Sequence, residues 1–359
     1  MTPEMKILRP VAILASFLML TASAMAQMSL TPPAAQTPPA AASQPASKPK
    51  PRPAAKKPEA AKPATPAAAT VTVTPAPVPD DPNVDLVYGA YQRGQYKSAF
   101  DLAIKRAEAG DPKAMTMLGE LSANALGIKR DDAKAAEWYK RAADGGDREG
   151  MFALAMMRLA GRGGPVNREE AVRLLASAAK LGNPKAAYNL ALLYLDGQTL
   201  PQDLKRCAEL LRLAADAGNA EAQYALATFY KEGTGVPKDV EKSVRLLQAA
   251  SLADNVDAEV EYAIALYNGT GTPKNEAAAV ALLRKAARQN SPIAQNRLAR
   301  VLVSAPGAPA DQVVEGFKWH LVAKSAGKGD PELDEAMSKI NPADRAKAEA
   351  LARRWLNVK

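Results

Sequence analysis

His320 and Cys207 are the only histidine and the only cysteine in 359 residues. Brought together, they would form the pair in which an imidazole takes the thiol proton and leaves a nucleophilic sulfur. His320 stands beside Trp319 where a packing residue is expected, partly buried or at the surface. Cys207 lies between Arg206 and Ala208 in a helical stretch that calls for a small packing residue. One histidine and one cysteine cannot supply the ligands of a zinc site, and a lone cysteine has only a second chain for a disulfide partner. The glycine-rich stretches EGTGVPKD (232–239) and NGTGTPKN (268–275) lack the Gly-Lys-Ser/Thr ending of a phosphate-binding loop and follow helical patterns, so they read as turns. The carboxylate pairs Asp131-Asp132 and Glu169-Glu170 stand where helices begin, and negative charge there complements the helix dipole. The sequence nominates no catalytic residue, no metal site and no cofactor.

Those turns recur, and the recurrence is the main signal. Gly110-Asp111, Gly146-Asp147, Gly182-Asn183 and Gly218-Asn219 are spaced by 36 residues. The register continues through Asp254-Asn255 and Asn290-Ser291, and closes after one longer unit on Gly329-Asp330. Rows of Pro165, Pro201, Pro237, Pro273 and Pro309, then Asp131, Asn167, Asp203, Asp239, Asn275 and Asp311, keep step with it. An Asp or Asn two residues after a proline is a helix cap, its side chain accepting the free amides of the first turn. Glycines at 163, 235, 271 and 307 let the chain reverse beforehand. In the first half of one unit Ala222, Ala225, Leu226 and Phe229 follow the i, i+3, i+4, i+7 spacing of a helix with one apolar face. No strand-like alternation appears after residue 83. The chain therefore reads as all-α, an α-α superhelical solenoid of stacked helix pairs, right-handed, with a concave groove.

The full pattern, A-x-x-x-L-G/A-x-x-Y-x-x-G-x-G-V-P-x-D followed by A-A-x-x-G-D/N, resembles the Sel1-like repeat family, a relative of the tetratricopeptide repeat. Ala222, Leu226, Ala227, Tyr230, Gly233, Gly235, Val236, Pro237, Asp239, Ala249 and Ala250 carry it in one unit. Ala186, Leu190, Ala191, Tyr194, Gly197, Pro201, Asp203, Ala214, Ala215, Gly218 and Asn219 carry it in the unit before, and Trp138-Tyr139 fits the family's aromatic pair. The resemblance implies a non-catalytic protein that mediates assembly, as some periplasmic members do in restraining membrane sensor kinases. Sel1-type β-lactamases carry a disulfide in each repeat, a pattern this chain departs from.

The ends differ from the array. Residues 1–26 place Lys6 and Arg9 before an apolar run and then Ala24-Met25-Ala26, the layout of a signal peptide cleaved after Ala26, with an uncleaved anchor as the alternative. Residues 27–82 hold 15 of the 28 prolines and read as a disordered Pro/Ala/Lys-rich linker. Of the net charge of +9, about +5 falls on residues 27–79 and +1 on the first 26 residues, leaving +3 for residues 80–359. Basic charge is thus concentrated away from the repeats, which argues against nucleic acid as a partner. A degenerate leading unit is expected over 83–111, six repeats over 112–330, and a capping region over 331–359 in which Leu351, Trp355 and Leu356 cover the last pair.

Function should then reside in the groove. If the first helix of each pair lines it, positions two, five, nine and twelve of each unit face a ligand. This nominates Lys113, Thr116 and Glu120, then Lys185 and Tyr188, then Glu221, Tyr224, Thr228 and Lys231, then Asp257, and at the far end Asn296 and Arg300. The alternative reading makes Tyr188 and Tyr224 packing residues and the charges a solvated face. The expected role is a periplasmic scaffold or adaptor that holds a partner protein or peptide of the cell envelope. The alternatives are an envelope structural element that contacts the cell wall through the basic linker, or a hydrolase.

Overall fold

The computed structural model describes residues 85–357, and every regular element in that span is a helix. The expected signal peptide and linker lie outside the described residues. Helices α1 (Leu86–Gln92) and α2 (Tyr96–Glu108) lead. Six pairs follow: α3 (Pro112–Ala123) with α4 (Asp132–Asp144), α5 (Arg148–Ala160) with α6 (Arg168–Lys180), α7 (Pro184–Asp196) with α8 (Leu204–Asp216), α9 (Ala220–Glu232) with α10 (Val240–Leu252), α11 (Val256–Asn268) with α12 (Glu276–Arg288), and α13 (Pro292–Ser304) with α14 (Ala310–Ser325). Two helices, α15 (Pro331–Lys339) and α16 (Pro342–Asn357), close the stack. Each helix from α2 to α14 packs on its predecessor and its successor, and α16 folds back onto α14. No helix among the described residues is long and apolar enough to cross a membrane.

Local chemistry fixes where these helices start. From α3 to α13 each one opens on an Asp, Asn or Ser whose side chain accepts a backbone amide of the first turn. The longer α14 departs from the rule: Pro309 is its cap residue, and Asp311 falls inside the first turn. At the following link Gly327, not Gly329, takes the left-handed conformation.

Small side chains let the pairs approach closely. Ala186, Ala222, Ala258 and Ala294 are fully buried at the third position of successive first helices. Gly150 holds that place in α5, where a Cβ would meet the Thr116 hydroxyl at 2.8 Å and the Ala142 methyl at 2.6 Å. In the second helices Ala135, Ala171, Cys207, Ser243 and Ala279 form an equivalent buried row. Cys207 is thus a small core residue, and burial pushes its thiol pKa up to about 12, which leaves no thiolate for chemistry at neutral pH. The loop glycines Gly163, Gly235 and Gly271 press on the helix of the unit before. A Cβ on Gly235 (φ +64°) would collide with the carbonyl of Leu204 in α8, and one on Gly163 with that of Asp132 in α4. Beside Gly163, Arg162 of the same loop grips the Asp132 carboxylate at 2.9 Å, and with Arg130 it holds that carboxyl at about 2.

His320 is completely buried, deeper than the sequence suggested, and its Nε2 lies 2.8 Å from Asp334, so that it joins α14 to α15. The closing helix α16 buries Ala348 and Ala352. Its Trp355 meets Trp319 edge-on at 5.1 Å, with Lys318 over both rings. Leu351 and Leu356, expected to cover the last pair, instead stay 43% and 40% exposed, because alanines set the close approach and only Trp355 reaches across.

One buried charge breaks the pattern. Gln223 and Gln295, at the fourth position of α9 and α13, donate to the carbonyls of Ala215 and Ala287. Glu259 occupies that position in α11 with no exposed surface; lacking a donor, it is held by Lys285 at 2.6 Å and by Gln289 at 3.2 Å. Lys285→Ala, which strands the carboxylate, is expected to lower unfolding free energy by roughly 3 kcal/mol, and adding Glu259→Gln to restore most of it. Urea denaturation of the single and double variants checks this. In the same assay Gly235→Ala should cost about 2 kcal/mol or more through backbone collision. Ala125→Gly should gain about 0.5–1 kcal/mol, because Ala125 sits at φ +56° where later units have glycine.

Candidate interaction surface

The first helices of successive units run side by side, and their nominated positions meet across the seams. Thr116 on α3 donates to Asp147, the cap of α5, at 2.6 Å, and the same carboxylate oxygen caps the Gly150 amide at 2.8 Å. Tyr188 on α7 lies near enough to Glu221 on α9 for that charge to raise its hydroxyl pKa, and Tyr224 on α9 lies likewise beside Asp257 and Glu261 on α11. Lys231 at the end of α9 pairs with Glu261 at 2.9 Å. On α13, Asn296 donates to Asp330 at 3.3 Å, and Arg300 reaches Asp330 at 2.5 Å and Glu332 at 3.2 Å. Glu120 and Lys185 lie two units apart, yet the ammonium acts on the carboxyl.

Apart from Lys231, which pairs with Glu261, the nominated residues fall into three groups. At the leading end are Lys113, which is exposed, and Thr116, Glu120 and Lys185, which are half-buried. In the middle, Tyr188 and Tyr224 lie half-buried and packed on the core, and burial first and the carboxylates of the next unit second raise their hydroxyl pKa values. Burial first and Glu221 second bring the Tyr188 hydroxyl up to about 12, so it is a neutral hydroxyl under any ordinary condition. Thr228 turns inward and donates to the Tyr224 carbonyl at 3.3 Å, one turn back on its own helix. Glu221 and Asp257 are exposed, and the Asp257 carboxyl is raised by desolvation and by Glu261. At the far end Asn296 and Arg300 are engaged by Asp330 and Glu332, so they anchor α15.

Residues outside the nominated set complete the surface. Tyr91 of α1 donates to Glu120 at 3.1 Å, and Glu261 stands between Tyr224 and Lys231. Glu261 was legible as one helical turn from Asp257 on the same face, whereas Tyr91 precedes the repeat register and carries no periodic signal. Among the described residues, no group of three or more His, Cys, Asp or Glu side chains is placed to hold a metal ion. The arrangement offers alternating carboxylates, hydroxyls and aromatic rings, suited to non-covalent contact.

Glu120 has a measurable signature. Desolvation is the dominant influence and raises its carboxyl to about 7, against the lowering effects of the Tyr91 hydrogen bond and Lys185. The unfolded chain releases this proton near 4.5 and the folded chain keeps it to about 7, so Glu120 favours folding below pH 4.5, and that contribution falls away between pH 4.5 and 7. Stability measured by urea at pH 4.5 and 7.5 should drop across the interval by on the order of 2–3 kcal/mol more in the parent chain than in Glu120→Gln.

The model of the Sel1 repeat matches residues 112–147, 148–183, 184–219, 220–255 and 256–291, just over half of the chain. Among curated proteins no relative matched. Among solved structures, a Sel1 repeat protein from Oxalobacter formigenes is 25% identical with a TM-score of 0.60, over 67% of this chain and 98% of that one. A protective antigen present in uropathogenic Escherichia coli strains and displaying an SLR fold is 22% identical with a TM-score of 0.48, over 71% of this chain and 64% of that one. Proteins built from Sel1 repeats are typically protein-interaction scaffolds with no catalytic role of their own. With five matched repeats, the helix pairs they predict and a solenoid relative that shares its fold, this chain belongs to the Sel1 repeat family.

Proposed function

We propose that this protein is an exported, periplasmic scaffold that holds a partner protein or an extended peptide of the cell envelope along the inner face of its first helices. The observation that carries the reading is the series of half-buried tyrosines and exposed carboxylates, Tyr188, Glu221, Tyr224 and Asp257, on the first helices of three successive units. A curved stack presents such a run as one long surface, whereas a flat helix bundle would bury it. Exposed carboxylates interleaved with half-buried tyrosines give directional contacts together with apolar area, the combination that peptide-binding grooves use. Export rests on the first 26 residues, whose charge and apolar pattern is that of a signal peptide.

Tyr188 and Tyr224 also pack on the core, so charge reversal at the exposed carboxylates is the cleaner test. A tagged full-length chain, crosslinked in envelope extract, is expected to capture a discrete protein. Glu221→Lys with Asp257→Lys should reduce that capture by about tenfold or more, and Glu209→Lys on the second helix α8 should leave it unchanged. Recovery of wall polymer alone, indifferent to the inner face and lost on deleting residues 27–82, would sink the scaffold reading and favour a tethered spacer.

A further inference from the structure

The middle of the inner face has a definite chemical preference. On α9 and α11 the carboxylates Glu221 and Asp257 are exposed, while Glu261, largely covered, engages Lys231 at 2.9 Å. Among the described residues no ion pair engages Glu221 or Asp257. Each stands one unit on from a half-buried tyrosine on which its charge acts, Glu221 from Tyr188 and Asp257 from Tyr224, so carboxylates and aromatic residues occur together on the first helices. Such a stripe suits a chain in which cations alternate with prolines. The ammonium or guanidinium pairs with the carboxylate and lies over the ring face, and the flat proline ring stacks on tyrosine.

The protein carries that sequence itself. Residues 48–53 read Lys-Pro-Lys-Pro-Arg-Pro, a stretch that favours the polyproline II conformation. The tether is long enough. The roughly 30 residues between Pro53 and Asp85 reach on the order of 90 Å when extended, and α9 and α11 lie about four units away, roughly 40 Å.

We propose that the Tyr188–Glu221–Tyr224–Asp257 stripe binds residues 48–53 of its own chain as an extended strand. The stripe is then covered from within, and a partner reaches it by displacing the Lys-Pro segment. This rests on the inner face being the binding surface, and it adds the class of chain the surface selects.

Zero-length carbodiimide coupling, which joins an amine to a carboxylate in contact, tests it on the full chain. Peptides are mapped by mass spectrometry from an equal mixture of ¹⁴N- and ¹⁵N-labelled protein. Lys48 and Lys50 are expected to couple to Glu221 and Asp257 within one chain, at least about fivefold above Glu209 and Asp216 on α8, and to lose that excess in high salt. Lys48→Gln, Lys50→Gln and Arg52→Gln together should increase partner capture. Coupling spread evenly over inner and outer carboxylates, or found only between copies, overturns the proposal. Capture that persists without these crosslinks leaves the scaffold reading standing, and crosslinks without any captured partner leave this one standing alone.

Discussion

The close approach of one helix pair to the next is the constraint on which the remaining structure depends. It is set by side chains of one carbon or none: the buried alanines at the third position of the first helices, the small row that includes Cys207, and the loop glycines under the carbonyls of the preceding unit. A single pair of amphipathic helices cannot cover its apolar stripe, so stability arises between units. The seams must therefore repeat almost atom for atom. Where one cannot, the neighbourhood adjusts: Gly150 replaces alanine because the Thr116 hydroxyl already occupies the space.

The same closeness shapes the inner face. With helices this near, a side chain at position five of one unit reaches the start of the next, as Thr116 reaches Asp147 and Asn296 reaches Asp330. Polar residues there act on two units at once, tying the stack together and presenting the surface. At the ends this balance shifts toward structure, and α15 takes up the bonding of Asn296 and Arg300. In the middle Glu221 and Asp257 remain open, which is why that region is the better candidate for contact with another chain.

Partial burial also explains the uneven electrostatics. Glu120 sits where desolvation outweighs both a tyrosine hydrogen bond and a nearby ammonium, so it holds its proton to about 7. Asp132, whose desolvation is outweighed by two guanidinium groups, goes the other way, to about 2. Identical functional groups on one repeated scaffold thus acquire different charge states according to how many cations their seam supplies. Glu259 is a buried carboxylate in a glutamine's place, and Lys285 and Gln289 reach it there.

The sequence alone determined the helix pairs, their caps and their register, because each depends on contacts within a few residues: an Asp side chain on an amide three residues on, a glycine at a turn, an apolar residue every third or fourth place. It also assigned the twelve nominated residues to the first helix of each pair, where the structure has them, since helical periodicity can be counted along the chain. It did not show which of those residues would be engaged. Asn296 and Arg300 are bound by Asp330 and Glu332 more than thirty residues on, Thr228 turns back to its own helix, and Tyr91 joins Glu120 from outside the repeat. Nor did it show that His320 would be sealed against Asp334, or that Trp355 alone of three apolar candidates would close the last pair. Those outcomes depend on how the stack curves and where its final helices land, which is set by packing summed over the whole array.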